Sequence, residues 1–567
     1  MTITSKLRRT LAVILALFVF TGMLSACTSS VVDSNDDGIK ALPYDEAVEE
    51  LNTFYKDINP KTLTPRLDLD MEDAKPSDAL SGIDSYPITV DGNGDIDIEI
   101  AAATEFSSSA PDDWLNVVAK KFNNEGYKVG EKTVTVSIRK ITSGEVLTYM
   151  VDGGYRPDVY VPSNEAWGEM LKAKGFSFTK LTDRLAGNTA GILMNRDIYD
   201  KFIEKYNELT VDNVLNAAIA GDIVFGYTNP YTSSTGLNIL SSMLYAFDNK
   251  NPLSEKSTQA LISYQRNAPT AAYTTAELCN KAAKGVIGAM VMEEQSFVNK
   301  PELADYVYTP AGIRHDHPVY FFGNDAEKQQ AAKLFVDYCL SDEMQKLATE
   351  RGFNRHDDYK SQPNGMDGKG YLAAQNVWKI NKNGGRPVIA VFVADTSGSM
   401  NYNSRIQGLK KSLLSSMQFI PSDCHIGLVH YDTNVYIDLP IKEFDDTQRA
   451  YFSSAVKDLT PGTDTATYSA TLVGLKMIED AMKKVPDAKP ILFVLSDGEQ
   501  NVGYNFKRFA PIAKGLGVQI YAIGYEMGSG GKSQMDGLAH INSEMDSINT
   551  DVDHIVDLFR NLFQVNT

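Results

Sequence analysis

The sequence predicts an α/β protein built from two consecutive α/β units. The chain has 567 residues, which exceeds the usual size of a single domain. Its content of 43% hydrophobic and 22% charged residues is ordinary for a folded globular protein. Short β-rich runs alternate with segments of helical period on both sides of a Gly-rich segment, NKNGGRP, at 381–387. These observations favour two α/β folds in series over one large core.

The N-terminus has the order of features found in an export signal. Three basic residues before position 10 precede an apolar run from Leu11 to Leu24, which is short for a membrane-spanning helix. The L-S-A-C sequence that ends at Cys27 resembles a bacterial lipobox. That resemblance implies a lipoprotein signal peptide at 1–26, a lipid on Cys27 and a place on the extracytoplasmic face of the cell membrane. Ordinary secretory cleavage is the alternative.

Composition limits the partners that the chain is expected to have. Its formal charge of −19 repels phosphate backbones, so nucleic acid is not an expected partner. Four cysteines without a C-x-x-C pair give neither a disulfide framework nor a cysteine zinc site. Residues 27–92 are polar, acidic and Pro-containing, which predicts a tether with one weak helix. The apolar stripe of that helix would comprise Val48, Leu51, Tyr55 and Ile58.

The first unit is predicted at 93–358, and it carries three hydroxyl-rich segments near strand ends or helix starts. Hydroxyls and free N–H groups at helix N-termini make a cradle for a polar ligand. The order of these segments, with PDVYVPSNEAW, AGILMNRD and FGYTNPYTSSTGL, resembles the two-lobed type 2 periplasmic-binding fold of extracellular solute-binding proteins, especially its oxyanion-binding branch. The resemblance implies a small polar solute between the lobes. Glu105 opposes an oxyanion, so the ligand class stays open. The implied ligand-binding residues are Ser107, Ser108, Ser143, Ser234 and Thr235.

The second unit is predicted at 386–567, after a linker at 359–385. Its buried strands VIAVFVAD, HIGLVHYD, PILFVLSD and VQIYAIGY alternate with amphipathic helices, and a last helix, DVDHIVDLFRNLF, closes the chain. Asp395, Ser397 and Ser399 follow the first of these strands, and Asp497 follows the third. Sites form at the carboxyl ends of strands in such sheets. Carboxylate and hydroxyl oxygens suit a hard cation such as Mg²⁺.

These motifs resemble the Rossmann-like, doubly wound von Willebrand factor type A domain and its metal ion-dependent adhesion site. The D-x-S-x-S motif stands at 395–399, T-x-x-Y-x-A begins at Thr465, and the late aspartate follows in LSDGEQNVG. The resemblance implies Mg²⁺ or Mn²⁺ held by Asp395, Ser397, Ser399, Thr465 and Asp497, with a vacant coordination position for an acidic group of a protein partner. Thr463 is an alternative to Thr465 as the threonine ligand, because the loop reads P-G-T-D-T and contains both residues.

Signals for an enzyme are weak. No G-x-S-x-G, Walker loop or strand-linked G-x-G-x-x-G is present, and the hydroxyl-rich turns have no histidine nearby. His315-Asp316-His317 has the spacing of a metal pair but no third ligand, which favours a solvated loop. The sequence therefore predicts a membrane-anchored binding protein, not an enzyme, with a sensor or spacer unit and a metal-dependent interaction unit. The alternative is the solute receptor of an ABC importer with an accessory docking domain.

Overall fold

The computed structural model describes residues 39–68, 80, 82–268, 275–283, 285, 287–497, 499–525, 527–542 and 547–550. The predicted signal peptide, Cys27 and the predicted closing helix lie outside these residues. Within the part described, helices and mixed sheets form two lobes followed by a doubly wound domain. None of the helices in these ranges is both long and apolar enough to cross a membrane.

Part of the segment predicted as a tether packs on the second unit. Helix α1 (Tyr44–Ile58) buries Leu51 and Phe54 in a core shared with the C-terminal sheet. Strand β1 (Lys61–Thr62) then adds a parallel edge to that sheet. The apolar stripe is visible in the sequence, but the surface that covers it comes from residues about 450 positions away. Residues 39–68 are thus structural elements of the second unit and do not form a free tether.

The first lobe contains a sheet of order β2-β5-β3-β6-β12-β7, with β4 paired to β5. Strand β3 is parallel to β5 and β6, and the returning strand β12 is antiparallel to its neighbours. The strands are β2 (Ile88–Val90), β3 (Ile96–Ala102), β4 (Lys128–Val129), β5 (Lys132–Lys140), β6 (Val159–Val161), β7 (Thr179–Thr182) and β12 (Val319–Phe321). The helices are α2 (Thr104–Ser107), α3 (Trp114–Glu125), α4 (Ser143–Asp152), α5 (Ala166–Ala173), α12 (Ala326–Cys339) and α13 (Asp342–Glu350).

The second lobe has a smaller sheet of order β11-β8-β10-β9. Strand β8 is antiparallel to both of its neighbours, and β9 is parallel to β10. The strands are β8 (Thr189–Asn195), β9 (Phe225–Gly226), β10 (Ala289–Glu293) and β11 (Tyr306–Arg314). The helices are α6 (Arg196–Tyr206), α7 (Val211–Ala220), α8 (Ser234–Phe247), α9 (Glu255–Asn267), α10 (Thr275–Ala283) and α11 (Glu294–Val298).

Two short segments, 183–188 and 315–318, connect the two sheets. Helix α14 (Gly368–Asn381) contacts α5 of the first lobe and both α8 and α9 of the second. The indole Nε1 of Trp378 donates to the Tyr227 hydroxyl, and Gln375 donates to the Pro230 carbonyl. The region predicted as a linker at 359–385 therefore contains a helix that spans both lobes before the chain enters the second unit.

The second unit is a three-layer sandwich around a sheet of order β1-β15-β14-β13-β16-β17-β18. Its strands are β13 (Val388–Asp395), β14 (His425–Tyr431), β15 (Val435–Glu443), β16 (Lys489–Ser496), β17 (Gln519–Tyr525) and β18 (Ile548–Thr550). Strand β13 is parallel to both β14 and β16, whereas β15 is antiparallel to β14. Strand β13 is buried along its whole length, so the carboxyl ends of central strands lie together at one edge.

Helices cover both faces of this sheet. One face carries α1, α17 (Thr467–Met482), α18 (Phe506–Leu516) and α19 (Ser529–Ala539). The opposite face carries α15 (Arg405–Ser416) and α16 (Asp446–Asp458). Alternate residues of β13 enter the two cores, with Val391 on the first face and Phe392 on the second. The strand pattern seen in the sequence matches this double coverage.

Candidate functional site

Asp395 is the last residue of β13 and is fully buried at the edge where the central strands end. Its Oδ1 accepts the backbone N–H of Ser397 at 2.7 Å, and its Oδ2 accepts the Ser496 hydroxyl. Burial raises the pKa of Asp395 to about 6, while these hydrogen bonds oppose the rise. A cation beside the carboxylate would also lower this pKa, because its positive charge stabilises the ionised form.

The remaining hydroxyls of the D-x-S-x-S motif connect Asp395 with the second acidic strand end. The Ser397 and Ser399 hydroxyl oxygens lie 3.0 Å apart, and the Ser399 hydroxyl donates to Asp497 Oδ1 at 2.7 Å. Ser397 and Asp497 are almost completely buried. The short 3₁₀ turn Gly398–Asn401 holds the two serines on the same side of the strand end. The structure therefore joins four of the five predicted metal-site residues in one hydrogen-bonded series.

The loop that carries both candidate threonines packs directly beside this series. The N–H of Gly462 donates to the Thr396 carbonyl at 2.6 Å, and the N–H of Gly398 donates to the Thr463 carbonyl at 2.7 Å. Thr465 is buried and its N–H donates to Asn501. Thr463 is exposed, and its hydroxyl lies 2.6 Å from that of Thr433. The Thr463 hydroxyl thus contacts Thr433 and not the carboxylates of Asp395 and Asp497.

Sequence reasoning missed Arg405, which begins α15. Its Nη1 donates to Asp497 Oδ2 at 2.6 Å, and only 19% of the side chain is exposed. The positively charged guanidinium of Arg405 therefore already contacts Asp497, one of the two carboxylates predicted to bind the metal ion. Ser496 was missed as well, although it stands directly before Asp497 at the end of a buried strand. Its position at the end of a buried strand was the only feature of the sequence that could have indicated that Ser496 lies at the site.

The donor set at this edge fits a hard divalent cation. It contains two carboxylates, and every other candidate ligand is a hydroxyl. In the part of the chain that the structure describes, no cluster of three or more His, Cys, Asp or Glu residues is arranged to hold a metal. The site at the strand ends has only two acidic side chains and otherwise hydroxyls, which agrees with magnesium chemistry better than with zinc chemistry.

The predicted solute-binding serines fall into two groups. The Ser107 hydroxyl donates to the Ala103 carbonyl at 2.7 Å, and the Ser108 hydroxyl donates to the Thr104 carbonyl at 2.6 Å. Both hydroxyls thus bond to the backbone of their own short segment. The other three residues lie where the lobes meet, and all are at least 94% buried: Ser143, Ser234 and Thr235.

The lobes touch directly at the starts of two helices. The N–H of Gly144 in α4 donates to the Thr232 carbonyl of the second lobe at 3.1 Å. A Cβ at position 144 would lie 1.8 Å from the Tyr231 carbonyl oxygen, so only glycine permits this approach. The indole Nε1 of Trp167 donates to the Ser234 hydroxyl across the same boundary at 2.8 Å. The buried hydroxyls of Thr142 and Thr232 have no hydrogen-bond partner among the described residues, so they could engage a polar solute.

The prediction that His315-Asp316-His317 is a solvated loop is wrong. His315 and His317 are completely or almost completely buried in the second connection between the lobes. His315 Nδ1 lies 2.7 Å from Glu293, and His317 Nε2 lies 3.0 Å from Glu105. The local pattern resembled a loop because the partners that bury these imidazoles come from distant parts of the sequence.

Comparison with protein families divides the chain at the same place as the fold. Residues 104–354 match the family described as bacterial extracellular solute-binding protein. Residues 390–561 match the von Willebrand factor type A domain. No curated protein matches the chain.

Solved structures resemble each unit at low sequence identity. The sulfate-binding protein SubI from Mycobacterium tuberculosis is 13% identical, with 50% of this chain and 91% of that chain covered and a TM-score of 0.35. Iron-bound HitA from Pseudomonas aeruginosa is 14% identical, with 51% and 99% covered and a TM-score of 0.37. The vWF domain of the type V pili tip protein Mfa5 from Porphyromonas gingivalis is 16% identical, with 32% and 94% covered and a TM-score of 0.27.

Proposed function

We propose that this chain, in which a bacterial extracellular solute-binding domain at 104–354 precedes a von Willebrand factor type A domain at 390–561, binds a protein partner through a divalent cation. Both families are generally non-enzymatic, and the pair supports an extracytoplasmic binding protein. We place the chain on the cell membrane through a lipid on Cys27. The first domain serves as a sensor of a small polar solute or as a spacer.

The observation that carries the proposal is the hydrogen-bonded series from Asp395 through Ser397 and Ser399 to Asp497. These residues, with Thr465, would hold Mg²⁺ or Mn²⁺. The bound cation would supply Lewis acidity and a coordination position for an anionic group. Two carboxylates at most neutralise a dication, so an acidic side chain from a partner is a favourable further ligand. Calorimetric titration of the full chain with Mg²⁺ tests this site, and an absence of binding would contradict it.

The choice between the two threonines gives a first prediction. Thr465→Ala is expected to weaken Mg²⁺ binding about tenfold, which corresponds to about 1.4 kcal/mol. Thr463→Ala is expected to leave the affinity nearly unchanged, because its hydroxyl contacts Thr433 and is exposed. Calorimetry on the two variants measures both effects. A larger loss with Thr463→Ala would reverse the assignment.

Arg405 gives a second prediction. Its guanidinium and the cation compete for Asp497, because both need the same carboxylate. Arg405→Gln is therefore expected to raise Mg²⁺ affinity by about tenfold, or about 1.4 kcal/mol. Lys507→Gln removes an exposed positive charge elsewhere in the domain and controls for the change in net charge. Weaker Mg²⁺ binding by Arg405→Gln would show that the arginine orients Asp497 instead of competing for it.

A further inference from the structure

Both connections between the lobes of the first domain meet at His317. The imidazole Nδ1 lies 3.0 Å from the Ala186 carbonyl in the first connection, and the His317 N–H donates to the Ser163 carbonyl of the first lobe. Leu185 of the first connection donates its N–H to the Asp316 carbonyl at 3.0 Å. His317 has a φ of +52°, a left-handed conformation that costs energy for a residue with a Cβ. Surrounding contacts must therefore hold this residue in place.

The geometry of His317 requires a proton at its contact with Glu105. Because a carbonyl oxygen only accepts, Nδ1 must donate its proton to Ala186. Nε2 faces Glu105 Oε1 at 3.0 Å, and two lone pairs would repel each other there. One proton must therefore lie on Nε2 or on the carboxyl. The rings of Phe106 and Phe353 pack edge-on against the imidazole and exclude water from the pair.

A second carboxyl and imidazole lie beside this pair. The Asn238 side-chain amide donates to the Ile313 carbonyl, and its nitrogen lies 3.2 Å from His315 Nε2. His315 Nε2 is thus an acceptor, and its Nδ1 carries the proton directed at Glu293. Burial lowers the pKa of His315 to about 3, which agrees with a neutral ring. Glu293 stands at the end of β10, so this contact belongs to the second lobe.

We infer that the Glu105–His317 pair is a proton-controlled latch that holds the two lobes of the solute-binding domain closed. The pair joins the first lobe to the segment on which the lobes would turn. When its proton is lost, a buried carboxylate faces a neutral ring, and the structure can relieve this by opening the cleft to water. The latch lies in the first domain and operates independently of the metal site in the second.

The direction of the pH effect follows from the raised pKa values of His317 and Glu293. Burial would lower the pKa of His317, but the hydrogen bond and charge of Glu105 raise it above its ordinary value. Burial raises the pKa of Glu293 well above its ordinary value, and the charge of Glu105 adds to this rise. Groups with raised pKa values stabilise the closed form at low pH and cease to do so as the pH rises through those values. Closure is therefore expected below about pH 6.5 and opening at higher pH.

Other charged groups near the pair do not reverse this direction. Burial would raise the pKa of Glu105, but its hydrogen bond with His317 and the positive charge there lower it, so it ionises before His317 loses its proton. Asp316 on the same segment pairs with Arg314 at 2.8 Å, which cancels its charge. Asp112 is half-buried and its negative charge raises the pKa of Glu293 further. The lowered pKa of Glu105 alone would favour closure at higher pH, but that contribution changes only below the ordinary range of a glutamate, so it does not affect the direction between pH 5 and pH 9.

Trp167 provides a built-in reporter of closure. It lies on the first lobe, is fully buried and donates to Ser234 on the second lobe. Opening the cleft would expose its indole, so its fluorescence emission should shift to longer wavelength. The chain has three tryptophans, and the difference between wild type and Trp167→Phe isolates this signal. The measurement uses the full chain between pH 5 and pH 9.

The expected result is a red shift of the Trp167 emission as the pH rises, with a midpoint above pH 6.5. Glu105→Gln removes the buried charge of the pair and His317→Gln removes its titrating ring, so each is expected to remove the part of the red shift that the pair causes. The burial of Glu293 leaves a smaller pH-dependent shift. His425→Gln, in the other domain, should behave like wild type. Circular dichroism verifies folding, and either of the first two variants suffices if the other does not fold. A pH-independent wild-type signal, or an unchanged profile in a folded latch variant, would overturn the inference.

Discussion

Replacing Leu51 with alanine is expected to destabilise the second domain by about 2–5 kcal/mol, although the residue lies more than 300 positions before it. Leu51 is fully buried in the core that α1 shares with α17 and α18. The segment before α1 can approach α18 closely because residue 515 is a glycine: a Cβ there would lie 2.5 Å from the Leu42 carbonyl oxygen. The N–H of Leu42 also donates to the Pro511 carbonyl. The lost side chain would leave a cavity between helices that are fixed by these contacts.

Glu50→Ala is the matched control, because this residue is exposed on the same helix. Urea unfolding of the full chain, followed by hydrogen exchange in α17 and α18, measures the stability of the second domain separately from the first. Equal stability of the Leu51 and Glu50 variants would show that α1 contributes little to the domain. A large difference would mean that the domain is interrupted by the solute-binding domain and requires residues 39–68 to be stable.

The sequence predicts much of the second domain because its signals are local. Buried parallel strands are continuous apolar runs, and polar residues after two such strands must lie at one sheet edge. Asp395 and Asp497 could therefore be placed together from their positions alone, and the structure connects them through Ser397 and Ser399. The D-x-S-x-S spacing, which resembles the metal-site motif of von Willebrand factor type A domains, then predicts that these residues bind a divalent cation.

The features that the sequence did not predict depend on contacts between distant residues. The burial of His317 needs Glu105, which is 212 positions away. The docking of α1 needs a complementary surface from α18, and its stripe alone cannot identify that surface. Arg405 lies in an ordinary amphipathic helix, and only the fold directs its guanidinium to Asp497. Local periodicity carries no information about such pairings.

Asp395→Asn is expected to reduce Mg²⁺ affinity at least a hundredfold, or about 2.7 kcal/mol, with little change in the fold. The substitution preserves the shape of the side chain and its contact with the Ser397 N–H, but it removes one of two negative charges. The attraction between a dication and a buried carboxylate is much larger than that of an exposed ion pair. Asp464→Asn is the matched control, because this carboxylate lies on the neighbouring loop and contacts Thr433 instead.

The same variant tests whether the site accepts an acidic ligand. Mn²⁺ bound through Asp395 and Asp497 is expected to keep an exchangeable water, which enhances the relaxation of solvent protons. A peptide that contains glutamate should displace this water and reduce the enhancement, whereas the corresponding glutamine peptide should not. Asp395→Asn should show neither effect, and EDTA should abolish both in the wild type. If Mn²⁺ binds but the glutamate peptide leaves the relaxation unchanged, the cation is structural, and partner recognition through a shared acidic group is excluded.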